Sequence, residues 1–417
     1  MRLALGPAAL GLYLLAAGAG RAFALDIPRS IDGPVTITES GSYVVTQDIA
    51  VALPPAITIA APNVSIDLNR KTISTAGFDT GSLIVMTPDS QQLLIRNGSI
   101  RGGGRYLASV AASLRLTMDH VTCTDGKYGI TIAGATNISI TDSNIRSERF
   151  PLDISGSYPL TFERNVVGSS QYYETGISLA GITSGSFVGN RVSVNTYQGA
   201  FFRIDSTGFV RMTNNVFDGD NGMDGVYLAS GRYLFADNEI NGGHPTGLIV
   251  ATDGNVIMNN RINGGGGVST GLSLGGSNNV VSGNVIRDRW TGMSIGGANH
   301  KISGNTIIGS WEYGMTVSGS YEMLIANTVH SHFAHFTKGL VLSGDHNLFK
   351  VNDLRGNGGP SPPPWMNDLE VHGTTNIDGG GNLVDPAPAC DECFDPGFDA
   401  TIHPTVRDRG RAGDLGR

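Results

Sequence analysis

One short pattern recurs along this chain. It reads apolar, any, apolar, any, any, Asn, any, apolar, then a variable gap, then Gly, apolar, any, apolar. It appears as Leu160, Phe162, Asn165, Val167 with Gly176, Ile177, Leu179, and again as Val210, Met212, Asn215, Phe217 with Gly225, Val226, Leu228. The asparagines stand at 165, 190, 215, 238, 260, 284, 305, 327 and 352, in steps of 21 to 25 residues. That period is too short for a propeller blade or a helical-pair repeat. Apolar residues at every second position are strand patterning, and Gly and Asn punctuate where the backbone needs tight or left-handed geometry. Short strands in a repeat that always faces the same way stack on their own copies and pair in parallel. The expectation is an all-β chain folded as a single-stranded parallel β-helix, right-handed by the usual crossover rule. Asn at one corner would stack into a ladder. About 14 coils at about 4.8 Å each make a rod of roughly 65 Å.

The first segment is outside this scheme. Arg2 precedes an apolar run from Leu3 to Ala19, and Ala22-Phe23-Ala24 is a small-x-small cleavage site. Residues 1–24 therefore read as a signal peptide, with secretion or a periplasmic location to follow. No later stretch is apolar enough to cross a bilayer. Residues 25–62 read as an N-terminal cap and first coil, since a β-helix must cover its first strand edges. Residues 63–385 carry the repeats, and 386–417 read as a C-terminal cap and disordered tail. Gly is 59 of 417 residues, which suits a chain that turns several times per coil. A formal charge of −8 argues against a nucleic-acid partner, which wants a basic face. Cys390 and Cys393, in Cys-Asp-Glu-Cys, are placed to form a small disulfide, leaving Cys123 over. A redox or zinc role for that pair lacks a second pair or a His cluster beside it.

The period also assigns the core. Phe162, Phe187, Phe235, Ile257, Val281, Ile302, Leu324 and Phe349 should point inward from one strand. Ile130, Ile177, Val226, Leu248, Leu272, Met293, Met315 and Leu340 should do so from another.

Signal peptide and coils together resemble the pectate-lyase-like superfamily of secreted right-handed β-helices, over residues 35 to 385. The resemblance implies a binding groove along one parallel sheet, flanked by the longest loops. Here the Gly-apolar-any-apolar strand follows the most variable segment and is the natural groove strand. Its outward residues are Thr131, Asp153, Ser178, Arg203, Tyr227, Ile249, Ser273, Ser294, Thr316, Val341 and Glu370. Signatures of individual superfamily activities are absent: no Asp-Pro-His-Asp, no Asn-Thr-Asp with Asp-Asp and Gly-His-Gly, no Asp-rich calcium loop.

Aromatic faces beside carboxylates and cations are what a sugar chain wants. Tyr172, Tyr173, Tyr197, His244, Arg289, Trp290, Trp311 and Tyr313 are the candidate sugar-binding residues. Hydrolysis needs two carboxylates about 5 to 9.5 Å apart, for which Asp153 with Glu174, or Asp220 with Asp224, are candidates. Elimination or C5 epimerisation needs a base and a cation, and Arg203 with Tyr227 or His244 could serve. His330, His332 and His335 offer nitrogen ligands to a metal, calcium or another divalent ion being the only cofactor in view. Two functions remain open. One is a carbohydrate-active enzyme cleaving or modifying a polysaccharide as hydrolase, lyase or epimerase. The other is a non-catalytic periplasmic or surface β-helix, binding glycans or assisting assembly, as in copper-enzyme maturation.

Overall fold

The computed structural model describes residues 27–385, apart from 78–80, 88–90, 110–114, 157–158, 170–175, 195–201, 220–223, 265–268, 332–337, 358–367 and 374. Among the described residues there are 39 strands and no helix. They form a parallel solenoid of about 12 turns, close to the number expected. Each coil supplies three strands to three sheets, named here by what they carry. The asparagine sheet includes Leu160–Glu163, the middle sheet Val166–Ser169, and the groove sheet the start of Ile177–Val188. Pairing begins as early as Arg29–Ile31 against Tyr43–Val45.

The core rows lie where period two puts them. Phe162 is in register with Phe187, and onward through Met212 and Phe235 to Ile257 and Val281. On the groove sheet Ile177, Phe202, Val226, Leu248 and Leu272 form a second inward stack. Val167, Val192, Phe217, Ile240 and Ile262 form a third, from the middle sheet. All of these are buried, so each coil closes on apolar side chains from three directions.

The asparagine ladder joins the first two sheets. Asn215 shows the unit: its Oδ1 accepts the backbone N–H of Asn190 at 3.0 Å, and its Nδ2 donates to the carbonyl of Phe187 at 3.0 Å. The same pattern runs from Asn165 to Asn382. The residue just before each ladder position has positive φ, as at Asp142, Arg164, Asn214, Asp237, Asn259 and Ala326. The corner needs a left-handed residue, which Gly189, Gly283 and Gly304 supply without a Cβ penalty. Val351 occupies this slot at φ 56° and is exposed. A β-branched residue is strained there by roughly 1–2 kcal/mol. Val351→Gly is therefore expected to raise stability by about 1 kcal/mol, allowing for glycine's greater freedom when unfolded. A lower urea midpoint in the variant would contradict this.

A second ladder stands at the opposite corner, between groove strand and asparagine strand. Here Tyr233 N–H donates to Asn255, Asn255 N–H to Asn279, and Asn279 N–H to Nδ1 of His300. His300 N–H donates to Glu322, Glu322 N–H to Asn347, and Asn347 N–H to Asn376. His300 and Glu322 thus stand in for asparagine, and the sequence expectation of one ladder corner is corrected to two.

Candidate functional site

The groove sheet presents an unbroken outward row. Thr131 is in register with Asp153, Asp153 with Ser178, Ser178 with Arg203, and Arg203 with Tyr227. The row continues through Ile249, Ser273, Ser294, Thr316 and Val341 to Glu370. Parallel strands at about 4.8 Å put Asp153 and Arg203, two strands apart, about 10 Å from each other along the row.

Asp153 faces outward, yet desolvation in the groove raises its pKa above the ordinary aspartate value, with the charge of Arg105 opposing. Arg203 lies with its guanidinium carbon 5.0 Å from the ring centroid of Tyr227 and binds Asp205 through Nη2 at 3.1 Å. Ser230 Oγ donates to the other oxygen of Asp205 at 3.0 Å, so this pair is held in place.

A second group sits at the far end. Trp290 Nε1 donates to Glu312. Desolvation and then the charge of Glu312 raise the pKa of Tyr313, while Lys338 opposes. Lys338 pairs with Glu370, which also contacts His372. Burial pushes Glu370 up, but those two partners outweigh it and its pKa is lowered. Thr316, on the strand of Tyr313, is seven strands from Asp153, or about 34 Å along the row. The two groups cannot touch one sugar ring together.

Two sequence expectations are corrected. Arg289, expected to bind sugar, is fully buried: Nη1 donates to the carbonyl of His244 at 2.7 Å, and Nη2 to those of Asn263 at 2.7 Å and Gly242 at 3.2 Å. His244, expected beside substrate or as a base, is also buried, at the corresponding turn two coils earlier. Arg289 faces the inside because the passage from middle sheet to groove sheet leaves carbonyls that need donors. Trp290 and Trp311 are half-buried, and Trp290 is tied to Glu312 as above.

Asp224 precedes the strand of Tyr227, three strands from Asp153 and about 14 Å along the row. His330 lies on the middle sheet, opposite Ile308, and not on the groove sheet. Glu174, Asp220, Tyr172, Tyr173, Tyr197, His332, His335, Cys390 and Cys393 lie outside the described residues. Cys123 is buried, which pushes its thiol up to about 12 and makes it unreactive.

Asp119, His120 and Asp142 bring three potential ligand atoms within 4.8 Å of one another. Both oxygens of Asp142 already accept from Arg164, at 2.8 and 2.7 Å, and Asp119 accepts from Thr141. The cluster is an ion-pair network at a turn. An open concavity of about 1220 Å³ lies not on the groove sheet but along the outer face of the middle sheet, lined by Arg101, Asp125, Arg146, Glu148 and Arg191 among small residues. Arg101 binds Asp125 and Arg191 binds Asp218, each at 2.6 Å, so most of its charge is internally matched.

Sequence reasoning passed over a cluster next to Asp153. Arg105, Lys127 and Arg149 stand 5.9, 5.8 and 6.0 Å from the ring centroid of Tyr128. Tyr128 stacks on Phe150 with centroids 5.9 Å apart and planes 8° from parallel.

A family model described as "Right handed beta helix region" matches residues 82–233 and 224–375. No curated protein matches the chain. Among solved structures, a periplasmic alginate epimerase, AlgG, aligns at 10% identity over 76% of this chain and 77% of its own, with a TM-score of 0.36. The A-module of the mannuronan C-5 epimerase AlgE6 from Azotobacter vinelandii aligns at 15% identity over 84% and 91%, with a TM-score of 0.39. A DFA-IIIase from Arthrobacter chlorophenolicus A6 aligns at 10% identity over 82% and 88%, with a TM-score of 0.27. At these values nothing about activity passes from them to this chain.

Proposed function

Since the chain belongs to the right-handed β-helix family, we propose that it is an exported carbohydrate-active protein that cleaves or modifies a polysaccharide lying along the groove sheet. Export rests on the leader-like composition of residues 1–24. No helix long and apolar enough to cross a membrane is present among the described residues.

The observation that carries the reading is the row Asp153, Ser178, Arg203 and Tyr227 on four successive strands. A straight outward row gives an extended polymer one contact per strand, about every 4.8 Å. Tyr227 offers a ring face to a sugar, and Arg203 a cation fixed by Asp205. Asp153, with its pKa raised, holds its proton closer to neutrality and is the group we assign to proton transfer. Hydrolysis would need a second carboxylate within about 9.5 Å. Asp224 is too far along the row, and Glu174, the partner proposed from the sequence, lies outside the described residues. Elimination or C5 epimerisation would use Asp153 as the base, with Arg203 holding a carboxylate of the sugar.

The test is turnover of a glycan panel by the exported protein, read as new reducing ends and as ultraviolet absorbance of an unsaturated product. Asp153→Asn is expected to lower turnover at least about 100-fold while binding and melting stay unchanged. Full activity in that variant would remove Asp153 from the chemistry. Neither turnover nor binding across the panel would favour the non-catalytic accessory role.

A further inference from the structure

We propose that the outer face of the asparagine sheet, in the C-terminal half of the rod, is the docking surface for this chain's own segment 386–417. The register shows the surface. On the outward row of that sheet Thr117, Ser139, Thr161, Ser186 and Arg211 follow one another, all of them polar. Arg211 then pairs with Leu234, and the row turns apolar through Val256 and Val280. Beyond Lys301 it continues as Met323, Leu348 and Ile377. Met323 is 38% exposed and Ile377 60%. Single exposed apolar residues are ordinary, but a continuous row that replaces a polar one at the same place in the coil marks a contact surface. Its apolar side chains are aliphatic and offer no ring face to a sugar.

Size and charge select the occupant. The six strand steps from Leu234 to Ile377 span about 29 Å, and strands of three residues give a width of about 10 Å. The resulting area of roughly 300 Å² is well below the roughly 800 Å² per partner of a stable protein interface. It fits one chain segment lying across the strands. Residues 386–417 start at that end of the rod, where the Asp385 N–H donates to Asp368 and its carboxylate accepts the N–H of Gly356. They carry Phe394, Phe398, Ile402 and Val406 at every fourth position, while Pro396, Gly397 and Pro404 exclude a helix. Residues four apart in an extended chain point the same way, so these four make one apolar edge up to about 40 Å long. The eight residues before Phe394 reach about 26 Å, enough to round the corner from Asp385 to the row.

The charges are complementary as well. Asp391, Glu392, Asp395 and Asp399 flank the two phenylalanines. Lys301 on the row and Lys350 beside it supply the opposite sign, and neither enters an ion pair among the described residues. A segment laid along the row would cover its aliphatic side chains and bring carboxylates to both lysines.

The experiment reads the oxidation of Met323 by dilute hydrogen peroxide, with peptide mass spectrometry locating the sulfoxide. The full chain is compared with a chain ending at Asp385 and with the full-length variant Phe394→Asp/Phe398→Asp, each at two protein concentrations. Met293 and Met315, buried in the core, report whether the coils remain folded. Met323 is expected to oxidise about tenfold faster in both altered chains than in the parent, at either concentration, while Met293 and Met315 stay slow. Should the shortened chain lose protection of Met315, the double variant alone decides. Equal Met323 rates in parent and altered chains would show that the segment does not cover the row, and would overturn the proposal. Protection that fades on dilution of the parent would assign the row to a second copy, and would overturn it too.

Discussion

Replacing Arg289 by methionine is expected to destabilise the coils around residues 242–289 by about 3–5 kcal/mol, the usual cost of breaking a buried charged contact from one side. The guanidinium reaches back over two coils and supplies donors to the carbonyls of Gly242, His244 and Asn263. Each buried carbonyl left without its donor costs about 1–3 kcal/mol. Methionine fills the volume of the stem and offers no N–H. Burial lowers the pKa of Arg289 to about 10, so it remains charged at neutral pH, neutralised by carbonyl dipoles. The surrounding glycines show that space was made for it: a Cβ on Gly264 would come within 2.9 Å of the Arg289 Cδ. Lysine should recover only part of the loss, since a single ammonium cannot span three carbonyls as the planar fork does. In a stack where each coil contacts only its neighbours, the damage should be local. Amide exchange ought to quicken across 242–289 and stay unchanged near Arg29–Ile31. Uniform protection in the variant would show that the clamp is dispensable.

What could be read from the sequence is what repeats with fixed chemistry. The core rows need only apolar side chains at period two, and the main ladder needs an amide, so Phe162, Phe187 and Asn215 announce their places. The groove row was legible for the same reason, because register follows once the Gly strand is aligned. The second ladder was not. Its requirement is an acceptor for one N–H and a donor for one carbonyl; Asn279 and His300 meet both with different side chains, and Glu322 supplies the acceptor. Arg289 and His244 were misjudged because a polar residue in a variable segment reads as exposed, whereas both are buried, Arg289 drawn inward by carbonyls at a crossover. Arg105, Tyr128 and Phe150 were overlooked because they share a spacing and not a residue type, and they fall in coils that precede the regular asparagines. Of the acidic candidates, Asp153 is placed on the row, Asp224 is too distant to pair with it, and Glu174 and Asp220 lie outside the described residues.

Glu322→Gln is expected to stabilise the protein by about 3 kcal/mol above pH 7 and to leave it unchanged near pH 4. Glu322 is 1% exposed, and one carboxylate oxygen accepts the N–H of His300 at 2.6 Å. The other, Oε1, has no hydrogen-bond partner among the described residues and lies where a Cβ on Gly319 would be 2.4 Å away. In the neighbouring coils the matching atom is a donor: Asn279 Nδ2 gives a proton to Gly275 O, and His300 Nε2 lies 2.8 Å from Gly296 O. Nδ1 of His300 accepts from Asn279, so its proton is on Nε2 and the ring is neutral. An ionised Glu322 has no proton to offer at this corner; a protonated one has. Burial accordingly raises its pKa from 4.5 to about 7, with the His300 N–H opposing. A folded-state pKa above the unfolded one means that the folded protein binds the extra proton. The stabilisation is therefore complete below about pH 4.5 and is lost as pH rises through 7. The rise from 4.5 to about 7, at about 1.4 kcal/mol per pH unit, sets the size of the effect. Glutamine supplies the donor at every pH and removes the dependence. His300, whose pKa burial lowers, acts in the opposite sense as pH falls, and Asp368, raised by burial to about 6, acts in the same sense as Glu322. Both are present in parent and variant, so the difference between two melting curves against pH isolates Glu322. Parallel curves would mean that the carboxylate is ionised in the ladder and that the corner tolerates it.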